Sequence, residues 1–369
     1  MKILANQLGK LTGLCNLPIP LDDELINGLV GRIARLNGLS TSQAVLQALG
    51  GEFQIPGRGS PLQLVSMFLN FDERTLAKQH SMLPVLNPIS GRVAALGEGD
   101  GCRSKTKTYT KRRLPVNSLR WCPKCACLDR AARGFSYWRR QHHLIGVDWC
   151  VVHREPLLKA PLSADIDAPG HELIEAGAEH MLDAIGDEAL HPVVQRFEQL
   201  MVGWLLQPAP TDHAVWSAVV RTECQKAGLR ICEVGQRSIA SDLIRDLFPN
   251  SWLNRYMPDV TIKSPQVCVR KVDGACIDKH VVYPTLVCTA LMAVLFSSSE
   301  EAFRALKQGT RQFKNKERAS QQESHALDAF LTGQRLHESF AKFGVDALSA
   351  EDAIRKLLKR RSVSSISFK

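Results

Sequence analysis

Cys122-Pro123-Lys124-Cys125 is followed, after 24 intervening residues, by Cys150-Val151-Val152-His153, and no other feature restricts the fold as tightly. Two chelating pairs, each with two residues between its ligands, let two tight turns offer sulfur and nitrogen at the ~2.0 to 2.3 Å and tetrahedral angles that zinc prefers. Cys122, Cys125, Cys150 and His153 are therefore the predicted ligands. Three thiolates and one imidazole fill a four-coordinate site and leave no position for a reactive water, so the Zn2+ they imply is structural rather than catalytic. Buried thiols are the competing explanation, but it requires two coincident spacings. Cys127 breaks the two-residue spacing and reads as a spare or packing thiol, while Cys102 lies nearby without assignment. Cys268, Cys276 and His280 follow no usual ligand spacing. Eleven cysteines scattered over 369 residues predict reduced thiols in a cytoplasm rather than a disulfide framework.

The charge distribution points to a polyanion. The formal balance is +10. Between Arg103 and Arg154 there are thirteen lysines and arginines against only Asp129 and Asp148, so this segment carries the whole excess and the remainder is close to neutral. Most cytosolic polyanions are nucleic acid. A rigid metal module would display Arg120, Lys124, Arg130, Arg133, Arg139 and Arg140, with an upstream arm of Lys105, Lys107, Lys111, Arg112 and Arg113. The predicted nucleic-acid contacts are the five residues of the arm together with Arg139 and Arg140, with phosphates as the target. Tyr137-Trp138 reads as the small core of the module more readily than as a base-stacking pair.

Helical signals flank this segment. Asp22 is a candidate cap for a helix carrying Leu25, Ile26, Leu29, Val30, Ile33 and Leu36, stopped by Asn37-Gly38. Ser40 and Gln43 have capping-box spacing for a second helix up to Gly50, and the pair is either a helix-turn-helix or a plain αα-hairpin. Ser60-Pro61 and Asp72 start two more. Beyond the basic segment, helices are predicted at 193–206, 212–227 with Gly228 as the stop, 238–248, 284–296, 299–307 and 350–358. Glycine and proline between Pro84 and Gly101, and a change of composition at 161–169, divide the chain into an N-terminal helical unit (1–100), a basic zinc-binding module (101–165), a C-terminal helical domain (166–358) and a basic Ser-rich tail (359–369). The fold class is mainly α, with a helix-turn-helix-like unit, a zinc-ribbon-like module and a C-terminal α-helical domain.

Enzyme signatures do not emerge. Gly97-Glu98-Gly99-Asp100-Gly101 lacks the Gly-Lys-Ser/Thr of a phosphate cradle, and no nucleophile elbow, His-Glu-x-x-His or deaminase pattern is present. Asp22-Asp23, Glu300-Glu301 and Glu351-Asp352 lie in predicted first helical turns, where negative charge suits the dipole. No apolar stretch approaches the ~20 residues of a membrane span, and the first fifteen residues have no secretory pattern, so a cytoplasmic protein is expected.

Several of these residues together resemble the TniQ/TnsD family of transposition target-selection proteins. The core of the likeness is Arg120-x-Cys122-Pro123-x-Cys125, Tyr137-Trp138-Arg139-x-x-His142, and Leu144-x-Gly146-Val147-x-x-Cys150-x-x-His153 with Leu157. Leu17-Pro18-x-Pro20, Asp23-Glu24-Leu25 and Arg32-x-Ala34-x-x-Asn37-Gly38 are similar to the family's opening helix-turn-helix. Gly228-Leu229, Leu243, Phe248, Trp252-Leu253 and the stretch from Pro284 to Phe296 resemble its C-terminal helices more loosely. The chain departs from many relatives at His142-His143-Leu144-Ile145-Gly146, and Pro156 to Asp167 holds no cysteine for the second zinc site some members carry. The resemblance implies no catalytic step. It implies an adaptor that marks an insertion site, by reading DNA or by docking on a CRISPR effector complex with its guide RNA, and recruits an AAA+ transposition ATPase; a homodimer is an open option. A zinc-containing transcription regulator and a metal-dependent nuclease are the alternatives.

Overall fold

Helices make up most of the described chain, and several end at asparagine or a left-handed glycine. The computed structural model describes residues 14–52, 61–90, 116–161, 168–169, 179–180, 185–231, 239–277 and 281–331. Helix α1 (Ile26–Leu36) buries Ile26, Leu29, Val30 and Ile33 and ends at Asn37. The Asn37 amide donates to the carbonyls of Ile33 and Asn16 and accepts from the Asn16 amide, while Gly38 takes the left-handed φ of +68°. Asp22 does not cap α1: the N-cap position falls on Leu25, without a side-chain bond. In α2 (Ser42–Glu52) the cap is Thr41, whose Oγ1 accepts from Ala44 N at 3.0 Å, in place of the predicted Ser40–Gln43 box. Helices α3 (Pro61–Leu69) and α4 (Glu73–His80) start as predicted, with Asp72 accepting from Thr75 N at 2.8 Å. These four helices enclose a core of their own, from Leu14 through Leu49, Val65 and Phe68 to Leu76.

A short α5 (Leu83–Leu86) and β1 (Ile89–Ser90) lead out of this unit. The next described strand, β2 (Leu119–Trp121), pairs antiparallel with β3 (Leu158–Ala160), and β3 with β4 (Glu179–His180). Helix α6 (Pro123–Arg133) follows β2 directly, ends at Gly134 with φ +78°, and is succeeded by a 3-10 turn at Arg140–His143. After α7 (Ile185–Leu190) and α8 (Pro192–Leu206), β5 (Thr211–Asp212) returns to pair parallel with β1. Helix α9 (His213–Lys226) is capped by Asp212 and stopped at Gly228 (φ +71°). The remaining helices are α10 (Ala240–Leu247), α11 (Asn250–Tyr256), α12 (Pro258–Thr261), α13 (Arg270–Ile277), α14 (Thr285–Leu295) and α15 (Ser299–Leu331). The last, predicted to stop at Lys307, runs for 33 residues.

The metal module and the C-terminal helices share one continuous core. Trp121, Trp138 and Trp149 belong to the same buried cluster as Phe197, Trp204, Trp216 and Trp252. All six tryptophans of the chain are among its largest fully buried side chains. Both interdomain boundaries drawn from the sequence, near 100 and near 165, lie outside the described residues, as do the helix at 350–358 and the tail. By compactness the chain divides between Leu306 and Lys307. Among the described residues, no single helix is long and apolar enough to cross a membrane.

Candidate metal centre

The four predicted ligands converge because two different backbone devices aim them at one point. Cys122 directly follows β2 and occupies the N-cap of α6, with Pro123 in the first turn, and Ala126 N donates to Cys122 O at 3.0 Å. Cys125 therefore stands one helical turn beyond Cys122 on the same side. Opposite them, a hairpin closes through the Trp149–Pro156 bridge and the bonds Cys150 N to Glu155 O and Leu157 N to Asp148 O. Arg154, at φ +59°, turns the chain so that His153 N faces Cys150 Sγ at 3.5 Å.

His153 Nδ1 lies 3.3 Å from Cys122 Sγ, 3.3 Å from Cys125 Sγ and 3.6 Å from Cys150 Sγ; Cys125 and Cys150 Sγ are 3.7 Å apart. All four ligand atoms fall within 4.8 Å of one another. Bonds of ~2.0 to 2.3 Å at tetrahedral angles require neighbouring donors about 3.5 to 3.8 Å apart; Cys150 meets that spacing to His153 and Cys125, and the two 3.3 Å contacts of His153 fall about 0.2 Å short of it. A metal ion fits at their centre. The electrostatics agree, since three thiols packed this tightly cannot all ionise unaided. Hydrogen bonds from the Cys122 and Cys125 thiols hold Cys150 far below the usual thiol range, while those with Cys122 and Cys150 push Cys125 far up. A divalent cation removes the conflict by stabilising all three as thiolates.

Around the ligands the polar groups are fixed in turn. His142 Nε2 lies 3.8 Å from Cys150 Sγ, placed to support that sulfur as outer-shell partners do. His143 faces Arg139 O at 2.8 Å through Nδ1 and accepts from Arg120 N at 3.1 Å through Nε2. That pairing fixes the neutral Nδ1–H tautomer, and burial pulls its pKa down to about 3. The Arg120 guanidinium is buried against Asp148 (3.1 Å), which also accepts from Tyr256 of α11. Trp149 and Arg154 both donate to Glu198 of α8, and Trp252 Nε1 donates to Gly146 O at 2.9 Å. These bonds fasten the metal module to the C-terminal helices.

The N-terminal unit is latched to the module on another side. Leu25 N donates to Trp138 O at 2.7 Å, Arg140 N to Asp23 O at 2.9 Å and Tyr137 Oη to Asp22 O at 3.2 Å. Asp23, at φ +58°, accepts from Arg140 Nε and Gln141 N, both at 3.1 Å. Glu24 pairs with Arg32, whose guanidinium lies 5.5 Å over the Phe135 ring. Gly28 leaves the room that Trp138 fills, since a Cβ there would meet its ring at 2.8 Å.

Several cations of the predicted phosphate surface have partners within the protein. Arg140 is buried and committed to Asp23 and to Lys78 O. Arg139 pairs with Asp129 at 2.8 Å and lies 4.5 Å over Tyr137, so both arginines hold the protein together. Arg133 also pairs with Asp129, and Lys124 with Glu155. Tyr137 and Trp138 are buried, as a small core requires. The arm residues Lys105, Lys107, Lys111, Arg112 and Arg113, and Cys102, lie outside the described residues. Cys127 is exposed. Cys276 lies beside Cys224, Cys268 is exposed and His280 is outside the description; among the described residues the Cys122 group is the only metal-type cluster. Sequence reasoning missed Asp129 as the organiser of two arginines; the alternation of Asp129 with Arg133 at i,i+4 was the available signal.

Residues 17–157 match the TniQ family. This chain carries a TniQ domain. The match begins at the Leu17-Pro18 segment, takes in the whole N-terminal latch, and ends at Leu157, where the ligand hairpin closes. The TniQ domain thus contains all four ligands, and the family is one associated with target selection in transposition. It stops short of the C-terminal helices, where the sequence resemblance was looser. No curated protein matches the chain.

Proposed function

We propose that this protein is a non-catalytic target-selection adaptor in DNA transposition, holding one structural Zn2+ on Cys122, Cys125, Cys150 and His153. It engages DNA, or a CRISPR effector with its guide RNA, and recruits an AAA+ transposition ATPase. One observation carries the reading: the TniQ match spans a module with four candidate ligands, three buried cysteines and the half-buried His153, which together would fill a four-coordinate site and leave the metal no open position for chemistry. The predicted phosphate arm at 105–113 supports a DNA-facing role, and the α1–α2 pair is its helix-turn-helix candidate. Helix α2 has no lysine or arginine, so in that pair α2 itself offers polar rather than cationic contacts.

Affinity capture of the full chain from its host tests the reading. An ATPase carrying a phosphate-binding loop should co-purify, and a CRISPR effector or DNA alone beside it decides how the site is marked. Magnesium-dependent DNA cleavage by metal-loaded protein, with no ATPase captured, would replace the adaptor by a nuclease.

A further inference from the structure

Leu306 is the last buried residue described in α15, and from Lys307 to Ser324 no described residue is buried. A helix that is solvated on every face ordinarily relies on alternating charges four residues apart. This stretch does the opposite. Lys307, Arg311, Lys314 and Arg318 follow one another at steps of four, three and four, which places them within about 60° of one another around the axis and along ~17 Å of its length. Two of the steps set like charges at i,i+4, an arrangement that weakens an isolated helix. All four side chains are exposed, and none pairs with a carboxylate among the described residues. Glu323 falls away from the stripe, and Glu317, three residues beyond Lys314, flanks its edge without an ion pair to it among the described residues. A row of uncompensated cations held at fixed spacing is complementary to a regularly charged polyanion.

We propose that Lys307, Arg311, Lys314 and Arg318 form a phosphate-contacting stripe that lies along the backbone of duplex DNA, separate from the predicted arm at 105–113. The stripe grips without reading sequence, because phosphate contacts fix position rather than identity. DNA as the occupant rests on the transposition reading above.

The test is the salt dependence of binding of the full metal-loaded chain to a random-sequence DNA duplex, followed by fluorescence anisotropy. K307Q/R311Q/K314Q/R318Q keeps good helix formers and should flatten the slope of log K against log salt by about 3 to 4, at ~0.9 per phosphate contact. R311Q/R318Q should give about half of that, and guards against misfolding of the quadruple variant; Lys316→Gln, on the other side of the helix, should change the slope by less than about 1. An unchanged slope in both multiple variants overturns the stripe while leaving wild-type DNA binding, and the adaptor reading, intact. An effect seen on duplex RNA alone also overturns it. A wild-type chain that binds no duplex at low salt removes the stripe, whereas ATPase capture would still uphold the adaptor.

Discussion

At single positions, burial turns ordinary side chains into fixed structural groups. His143 is fully enclosed and neutral, with its folded pKa pulled to about 3 by burial. Below an unfolded pKa of ~6.5 the unfolded chain takes up a proton that the folded chain refuses, so stability falls with pH between roughly 6.5 and 3. His80 shifts in the same direction, chiefly by burial. Denaturant unfolding should therefore show ~1 kcal/mol less stability at pH 5.5 than at pH 7.5 from His143 alone, with metal content unchanged across that interval. Flat stability over this range would mean that His143 is accessible to protons. Gly146 gives a second residue-scale expectation. It sits at φ +79°, and a Cβ there would approach Phe197 to 2.7 Å and Trp252 to 3.1 Å. Gly146→Ala should cost about 2 to 4 kcal/mol through strain and overpacking, read as a lower Tm, while the four ligands remain in place.

Between elements, the latch of Asp23 with the Arg139–Gln141 segment shows why cationic residues cannot be assigned to a surface by counting. Arg140 contributes to the charge excess between Arg103 and Arg154, yet its guanidinium is buried between α4 and the Asp23 turn. Burial pushes the Asp23 carboxyl up and the Arg140 guanidinium down, against their mutual attraction, so the pair fixes the position of the two units more than it adds to stability. Arg140→Gln leaves Asp23 buried with one partner fewer, and should lower stability by about 3 kcal/mol while leaving the salt slope of DNA binding by the folded protein unchanged. A slope reduced by ~0.9 in the folded variant would return Arg140 to the phosphate surface. Helix α15 makes the converse point. Net charge outside the 103–154 segment averages close to zero, and that average conceals an aligned row of cations which only the helical register brings to one face. Helix starts and stops at Asp72, Asp212, Gly38 and Gly228 were legible because a single residue's chemistry sets each. The Asp22 cap was not, because the turn at Asp23 is tied to the distant Arg140 and Gln141, and at Ser40 the hydroxyl of the adjacent Thr41 takes the cap instead, a competition between neighbouring residues of like chemistry.

For the molecule as a whole, the shared core makes the metal centre a matter of more than its own module. The ligand hairpin is bonded to α8 through Glu198 and to α11 through Tyr256 and Trp252. Metal removal should therefore loosen those helices as well. Chelation, or Cys122→Ser and Cys150→Ser, should abolish bound zinc by native mass spectrometry and lower hydrogen-exchange protection in α8 and α11 together with α6. Protection kept in α8 and α11 after complete metal loss would show the module to be an independent fold. The sequence by itself brought out the four clustered residues, since two-residue spacings are a property of local turns, and those helix ends that a cap or a left-handed glycine sets within a turn, while helices such as α11 and α13 carried no such signal. Its motifs also pointed to the TniQ family, whose model matches residues 17–157. Only the tertiary structure decided which arginines face outward, where one core ends and another begins, and that the tryptophans of the metal module and of the C-terminal helices pack together. Those outcomes depend on which distant surfaces exclude water from one another, and no stretch of chain carries that information alone.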